Sequence, residues 1–146
     1  MIQHTIKCLA IILIAIPISF HSNAQAGKKD KVAKYEAAVH FSSICCGTSG
    51  DDFLKTFLKK FNTQNKVAVP AQKLGGCGRE GEFNVLFSLT KLKKNISTKF
   101  IAGLKVVVEK QNQFIKTEGQ SKGPLNISYN IGLNEIVGCR GELELF

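Results

Sequence analysis

The side chains of this 146-residue chain best equipped for chemistry are its cysteines. Cys45 and Cys46 are adjacent. Cys77 stands in the run Gly76-Cys77-Gly78-Arg79-Glu80-Gly81-Glu82, and Cys139 in the similar run Gly138-Cys139-Arg140-Gly141-Glu142. Such thiols cross-link as disulfides in an oxidising compartment, ligate a soft metal such as copper(I), or act as redox nucleophiles. Each of the two glycine-cysteine runs also carries one of the chain's only two arginines. A guanidinium holds carboxylate or phosphate in a planar fork that lysine cannot copy, which makes Arg79 and Arg140 the candidate anion-binding residues. Their alternative role is plainer, pairing with Glu80, Glu82, Glu142 or Glu144 on neighbouring strands.

The first 26 residues decide which cysteine chemistry to expect. Lys7 is the positive end, residues 9–20 form an apolar run broken only by Pro17 and Ser19, and Ala24-Gln25-Ala26 offers small residues for cleavage. This is the pattern of a secretory signal peptide cut near Ala26, so the mature chain is expected to be secreted or periplasmic. The apolar run is too short for a bilayer span, which needs roughly 20 residues, and no comparable run follows it. No transmembrane segment is therefore expected in the mature chain. Cys8 leaves with the signal, and the four remaining cysteines, Cys45, Cys46, Cys77 and Cys139, read as two disulfides. A bridge between adjacent cysteines closes a strained small ring, so Cys45 and Cys46 are each expected to bond elsewhere.

The alternative is a thiol site for metal or redox work. Cys45 and Cys46 follow a predicted strand and precede a predicted helix. That position resembles the loop in which copper-handling domains of the heavy-metal-associated type place a Cys-x-x-Cys pair. The resemblance implies a metal site drawn from Cys45, Cys46, Cys77 and Cys139. Here the pair is adjacent, and on a continuing strand its members face opposite sides. No Cys-x-x-Cys redox motif is present.

The formal charge of +9 is almost entirely lysine and favours an anionic surface or protein as partner. Nucleic acid is not expected, since the chain lacks tryptophan and has two tyrosines and two arginines for stacking or base contacts. His40 is the only histidine beyond the signal, and nothing near it in sequence marks a nucleophile and an orienting acid. No catalytic residue and no cofactor are assigned. The Gly47-Thr48-Ser49-Gly50-Asp51-Asp52 turn lies where a helix start could cradle an anion, but Asp51 and Asp52 bring their own carboxylates to that positive end.

The elements that must position these residues follow from periodicity. Residues 27–33 are a disordered, charged leader. Over residues 34–44, Tyr35, Ala37, Val39 and Phe41 alternate with more polar residues, a half-buried strand. Ser49 and Asp52 have capping-box spacing, and Phe53, Leu54, Phe57, Leu58 and Phe61 form one helical stripe. Residues 67–74 read as a strand, placed at an edge by Pro70, joined through the Cys77 turn to a strand over 82–89. Thr90 is the expected N-cap of a second helix carrying Leu92, Ile96, Phe100 and Leu104, weakened by Gly103 and Val106-Val107-Val108. A loop over 117–124, a strand over 125–131 and a last strand over 142–146 complete the chain.

This order predicts a single α+β domain over residues 34–146. The expected architecture is a ferredoxin-like two-layer sandwich, βαββαβ plus one extra strand, with both helices on one face of a mainly antiparallel sheet. Such a layout would bring Cys45, Cys46, Cys77 and Cys139 to one edge. The functional expectation is an exported, disulfide-stabilised binding module for an anionic partner, not an enzyme, with the thiol site as its alternative.

Overall fold

The computed structural model describes residues 33–117 and 122–146. They belong to a compact unit spanning Lys31–Phe146. The proposed signal peptide and nearly all of the leader lie outside the described residues.

Among the described residues, five strands and two helices follow one another as β1 (Lys34–Ser43), α1 (Asp52–Asn65), β2 (Ala71–Leu74), β3 (Phe83–Phe87), α2 (Lys94–Thr117), β4 (Lys122–Gly132) and β5 (Leu143–Leu145). A short 3-10 turn, Leu133–Glu135, follows β4. The fold is α+β. Its sheet is antiparallel throughout, in the order β4-β1-β3-β2-β5. With β5 added beside β2, this is not a simple ferredoxin-like order.

Both helices pack on one face of the sheet. Leu54, Leu58 and Phe61 of α1 and Phe100, Leu104, Val108 and Ile115 of α2 enclose a core with Ala37, Val39 and Phe41 of β1 and Phe83, Val85 and Phe87 of β3. The Phe100 ring is fully buried, with its centroid 5.1 to 5.3 Å from those of Phe57, Phe61 and Phe87. Gly103 and the valines do not interrupt α2, because burial of its apolar stripe outweighs their modest propensity penalties. A Cβ at Gly103 would meet the Phe57 ring at 2.8 Å, so glycine at this position admits α1 close to α2.

Several local expectations are corrected. β1 is buried on both faces: Ala37, Val39 and Phe41 join the helix-side core, whereas Tyr35 and Ala38 belong to a second cluster with Leu74 and Leu86. The segment after β4 crosses that second face and covers it with Leu133, Ile136 and Leu143. β2 is an interior strand, because Pro70 precedes it and β5 pairs with its outer side. Helix α2 begins at Lys94, not after Thr90, since Leu89 to Leu92 form a preceding turn. Its far end runs to Thr117, into the stretch read as a loop. The capping box does not form either; Asp51 is the N-cap and the Ser49 hydroxyl is buried without a hydrogen-bond partner.

Asp51 instead holds the start of α1 through charge. Its carboxylate meets the Lys55 ammonium at 2.8 Å and that of Lys73, on β2, at 3.5 Å. Burial pushes the carboxyl up, but the hydrogen bond and charge of Lys55, reinforced by Lys73, more than offset it and hold Asp51 below the usual carboxylate range. A depressed folded value stabilises the native state above the unfolded carboxylate's pKa, near 4, and that stability is lost as pH falls through the folded value. Asp51→Asn should lower the urea midpoint at pH 7 and flatten its decline below about pH 4. Urea titrations across an acid pH series check this.

The long β4 is tied to α2 by one side chain. The Asn112 amide donates to the Leu125 carbonyl at 2.9 Å and accepts from the Leu125 N–H at 2.8 Å, as a neighbouring strand would. Asn112→Ala removes both bonds and should destabilise the fold by about 1–3 kcal/mol, measurable as a lowered thermal midpoint.

Candidate functional site

The two glycine-cysteine runs, far apart in sequence, lie against each other. The hairpin between β2 and β3 carries Cys77 toward the second face of the sheet. The crossing segment after β4 delivers Cys139 to it, and the two form a disulfide with S–S 1.99 Å. Backbone bonds reinforce the junction: the Arg140 N–H donates to the Gly76 carbonyl and the Gly141 N–H to that of Gly75, both at 3.1 Å. This approach requires glycine. A Cβ on Gly141 would stand 2.7 Å from the Gly75 carbonyl oxygen, and Gly76 has φ +64° with a Cβ position 3.0 Å from the Gly141 nitrogen. The echo between the two sequence runs is thus the imprint of a paired backbone contact.

Beneath the disulfide, buried Asn84 of β3 donates its amide to both sulfurs, at 3.2 Å to Cys77 and 3.4 Å to Cys139. That leaves its carbonyl oxygen as acceptor for His40 Nδ1 at 3.2 Å, which assigns the His40 proton to Nδ1. The half-buried His40 therefore supports the staple from β1 and is not a free solvent-face residue. Sequence reasoning missed Asn84; a polar residue inside the apolar run of β3 was the available sign.

The expectation that Cys45 and Cys46 bond to the later cysteines is not met, because Cys77 and Cys139 bond each other. Cys45 is an exposed free thiol and Cys46 is exposed beside it, in a turn where Cys46 has φ +66° and Gly47 +96°. All four cysteines do lie toward one end of the sheet: β1 ends where β3 begins, as the pairing of Phe41 with Phe83 shows. Cys139 arrives there through the crossing segment and not by opening a strand of the core order. Among the described residues, no group of three or more His, Cys, Asp or Glu is arranged to hold a metal ion.

The same junction brings Arg79 and Arg140 together. Both line a cleft of about 350 Å³ with Gly76, Gly78 and Gly138, so its remaining lining is glycine. Among the described residues neither guanidinium is in an ion pair, and the pairs are Lys55–Asp51 and Lys73–Asp51. Glu82 accepts from the Glu80 N–H at 2.9 Å, and its carboxylate lies against Gly78. The carboxylate is thereby engaged with its own turn.

No protein-family model matches this chain, and no curated protein or solved structure matches it significantly. The geometry alone bears on function.

The Cys77–Cys139 bridge closes a loop with a sequence separation of 62. On chain-entropy grounds, its loss by Cys139→Ser should destabilise the fold by about 4 kcal/mol. The double variant Cys77→Ser/Cys139→Ser should show the same deficit by urea unfolding, and a reducing agent should then have no further effect on it. Native-state alkylation should label Cys45 and leave Cys77 and Cys139 unmodified until reduction, as intact mass will show.

Proposed function

We propose that this protein is an exported, disulfide-stabilised binding module that takes a carboxylate- or phosphate-bearing ligand between Arg79 and Arg140. The observation that carries the reading is the convergence of the chain's two arginines on one glycine-lined cleft, with no acidic partner for either among the described residues. Two like charges confined to a small cleft repel, and an anion placed between them relieves the repulsion. Each charge-assisted hydrogen bond so formed is worth about 1.5–3 kcal/mol. Glycine lining leaves backbone rather than side chain around the cleft, so a small acidic group can approach closely.

Export is supported by residues 1–26 and by the cysteine content, which suits an oxidising compartment. In this reading the sheet is a ferredoxin-like core, β4-β1-β3-β2, extended by β5 and clasped by the crossing segment. The exposed lysines of α1 and α2 add a broad positive field that draws anions toward the molecule without selecting among them.

Titration with inorganic phosphate and with succinate, followed through the arginine Nε–H resonances, tests the assignment. Arg79→Gln and Arg140→Gln should each raise the dissociation constant about tenfold or more. Arg140→Lys should not restore it, because lysine lacks the fork. Equal phosphate binding by the doubly substituted protein would assign binding to the lysines of the helices instead.

A further inference from the structure

The two outer strands of the sheet differ in a way that points to a partner. β5 is three residues long, whereas β4 has eleven. Long exposed edges are normally blunted by charge, proline or a covering group, because their unpaired N–H and C=O groups template the addition of another strand. β4 is blunted at its beginning only. Lys122 and Pro124 lie there, and Asn112 occupies the outward N–H and C=O of Leu125.

The alternation of an antiparallel ladder fixes the rest. Since Leu125, opposite Phe41, bonds outward to Asn112, the residues two and four positions on, Ile127 and Tyr129, also direct their backbone N–H and C=O away from β1. The opposite edge has the same parity, with the Ala71 carbonyl accepting outward from the Phe146 N–H. Among the described residues nothing pairs with the outward groups of Ile127 and Tyr129. Asn130, with φ +52°, ends the regular stretch.

Beside this free edge lies a groove of about 530 Å³ between the first half of α2 and the end of β4. Its walls include Leu89, Ile101, Ala102 and Tyr129, with the ammonium-bearing side chains of Lys94 and Lys105. The Lys105 ammonium is 5.4 Å from the Tyr129 ring centroid. The only acidic residue in the lining is Glu36, and its carboxylate is engaged by the Leu89 N–H.

We infer that the β4 edge at Ile127 and Tyr129, with the adjoining groove under α2, is a docking site for an extended acidic peptide that adds to the sheet as a sixth strand. The edge provides main-chain hydrogen bonds, and alternate side chains of the incoming strand fall on the helix side, toward the groove. Lys94 and Lys105 then favour carboxylates at those positions. A second copy of this chain is a poor occupant, since it would bring the same lysines to the same contact. The site is separate from the arginine cleft, so either can fail while the other stands.

The test uses the whole mature chain and a blocked octapeptide of alternating glutamate and valine, with a lysine-valine peptide as control. Amide exchange should show Ile127 and Tyr129 unprotected in the free protein and protected with the acidic peptide. The Leu125 amide should be protected in both states. Lys105→Glu should weaken the acidic peptide about fivefold or more. Ile127→Pro should abolish binding, because its missing N–H faces the partner and not β1. The same peptide N-methylated along its pairing edge should fail to bind the unaltered protein, a readout independent of how any variant folds. Absence of protection at Ile127 and Tyr129 at millimolar peptide, or equal binding of the N-methylated peptide, would overturn the proposal.

Discussion

A five-stranded sheet with apolar residues on both faces needs two covers, and the two helices of this protein lie on the same side. The second cover is the crossing segment between β4 and β5. Leu133 and Ile136 shield Tyr35, Ala38, Leu74 and Leu86, and Cys139 fastens the segment to the β2–β3 hairpin. An extended segment buries less apolar surface than a helix, and it cannot satisfy its own backbone. Its attachment therefore rests on discrete bonds: the disulfide, the two Arg140 and Gly141 amides, and the ladder between β2 and β5. The juxtaposition of the two arginines is a by-product of this clasp. Without it, Arg79 would sit in a hairpin and Arg140 in a tail.

The elements built on strong periodicity were legible in the sequence. The α1 stripe from Phe53 to Phe61 falls inside the observed helix, Asp52–Asn65, and the alternation in β1 emerges within a residue of its observed bounds. Less legible was anything decided by a neighbour distant in the chain. Pro70 argued for an edge strand, yet the short β5 could pair beside it because the proline stands just before the ladder begins. β1 looked half-buried because Ala38 gives little indication that a covering segment lies above it. The Ser49 spacing suggested a capping box, but Asp51 is better placed to meet both Lys55 and Lys73, and the latter comes from another element.

The cysteine and arginine readings divide along the same line. The likeness between the two glycine-cysteine runs was visible, and its cause was not: each lets the other's backbone approach, at Gly76 and Gly141. Pairing of Cys45 and Cys46 with the later cysteines was excluded by contacts that no spacing rule encodes. Asn84 escaped notice for the opposite reason, since a single asparagine in an apolar strand carries no motif. Its amide, positioned by β3, links His40 to the staple and gives the second face a polar centre.

The position of β1 carries a further consequence. Among the described residues it is the first strand, it lies between β4 and β3 in the sheet, and these two partners begin at Lys122 and Phe83. Neither neighbour is local, so closing the sheet demands long loops before any ladder bond to β1 forms, the arrangement that slows folding. Until β4 has emerged, this interior strand has at most one side to pair with. A chain built this way gains its full ladder on β1 only once both of these later strands are in place.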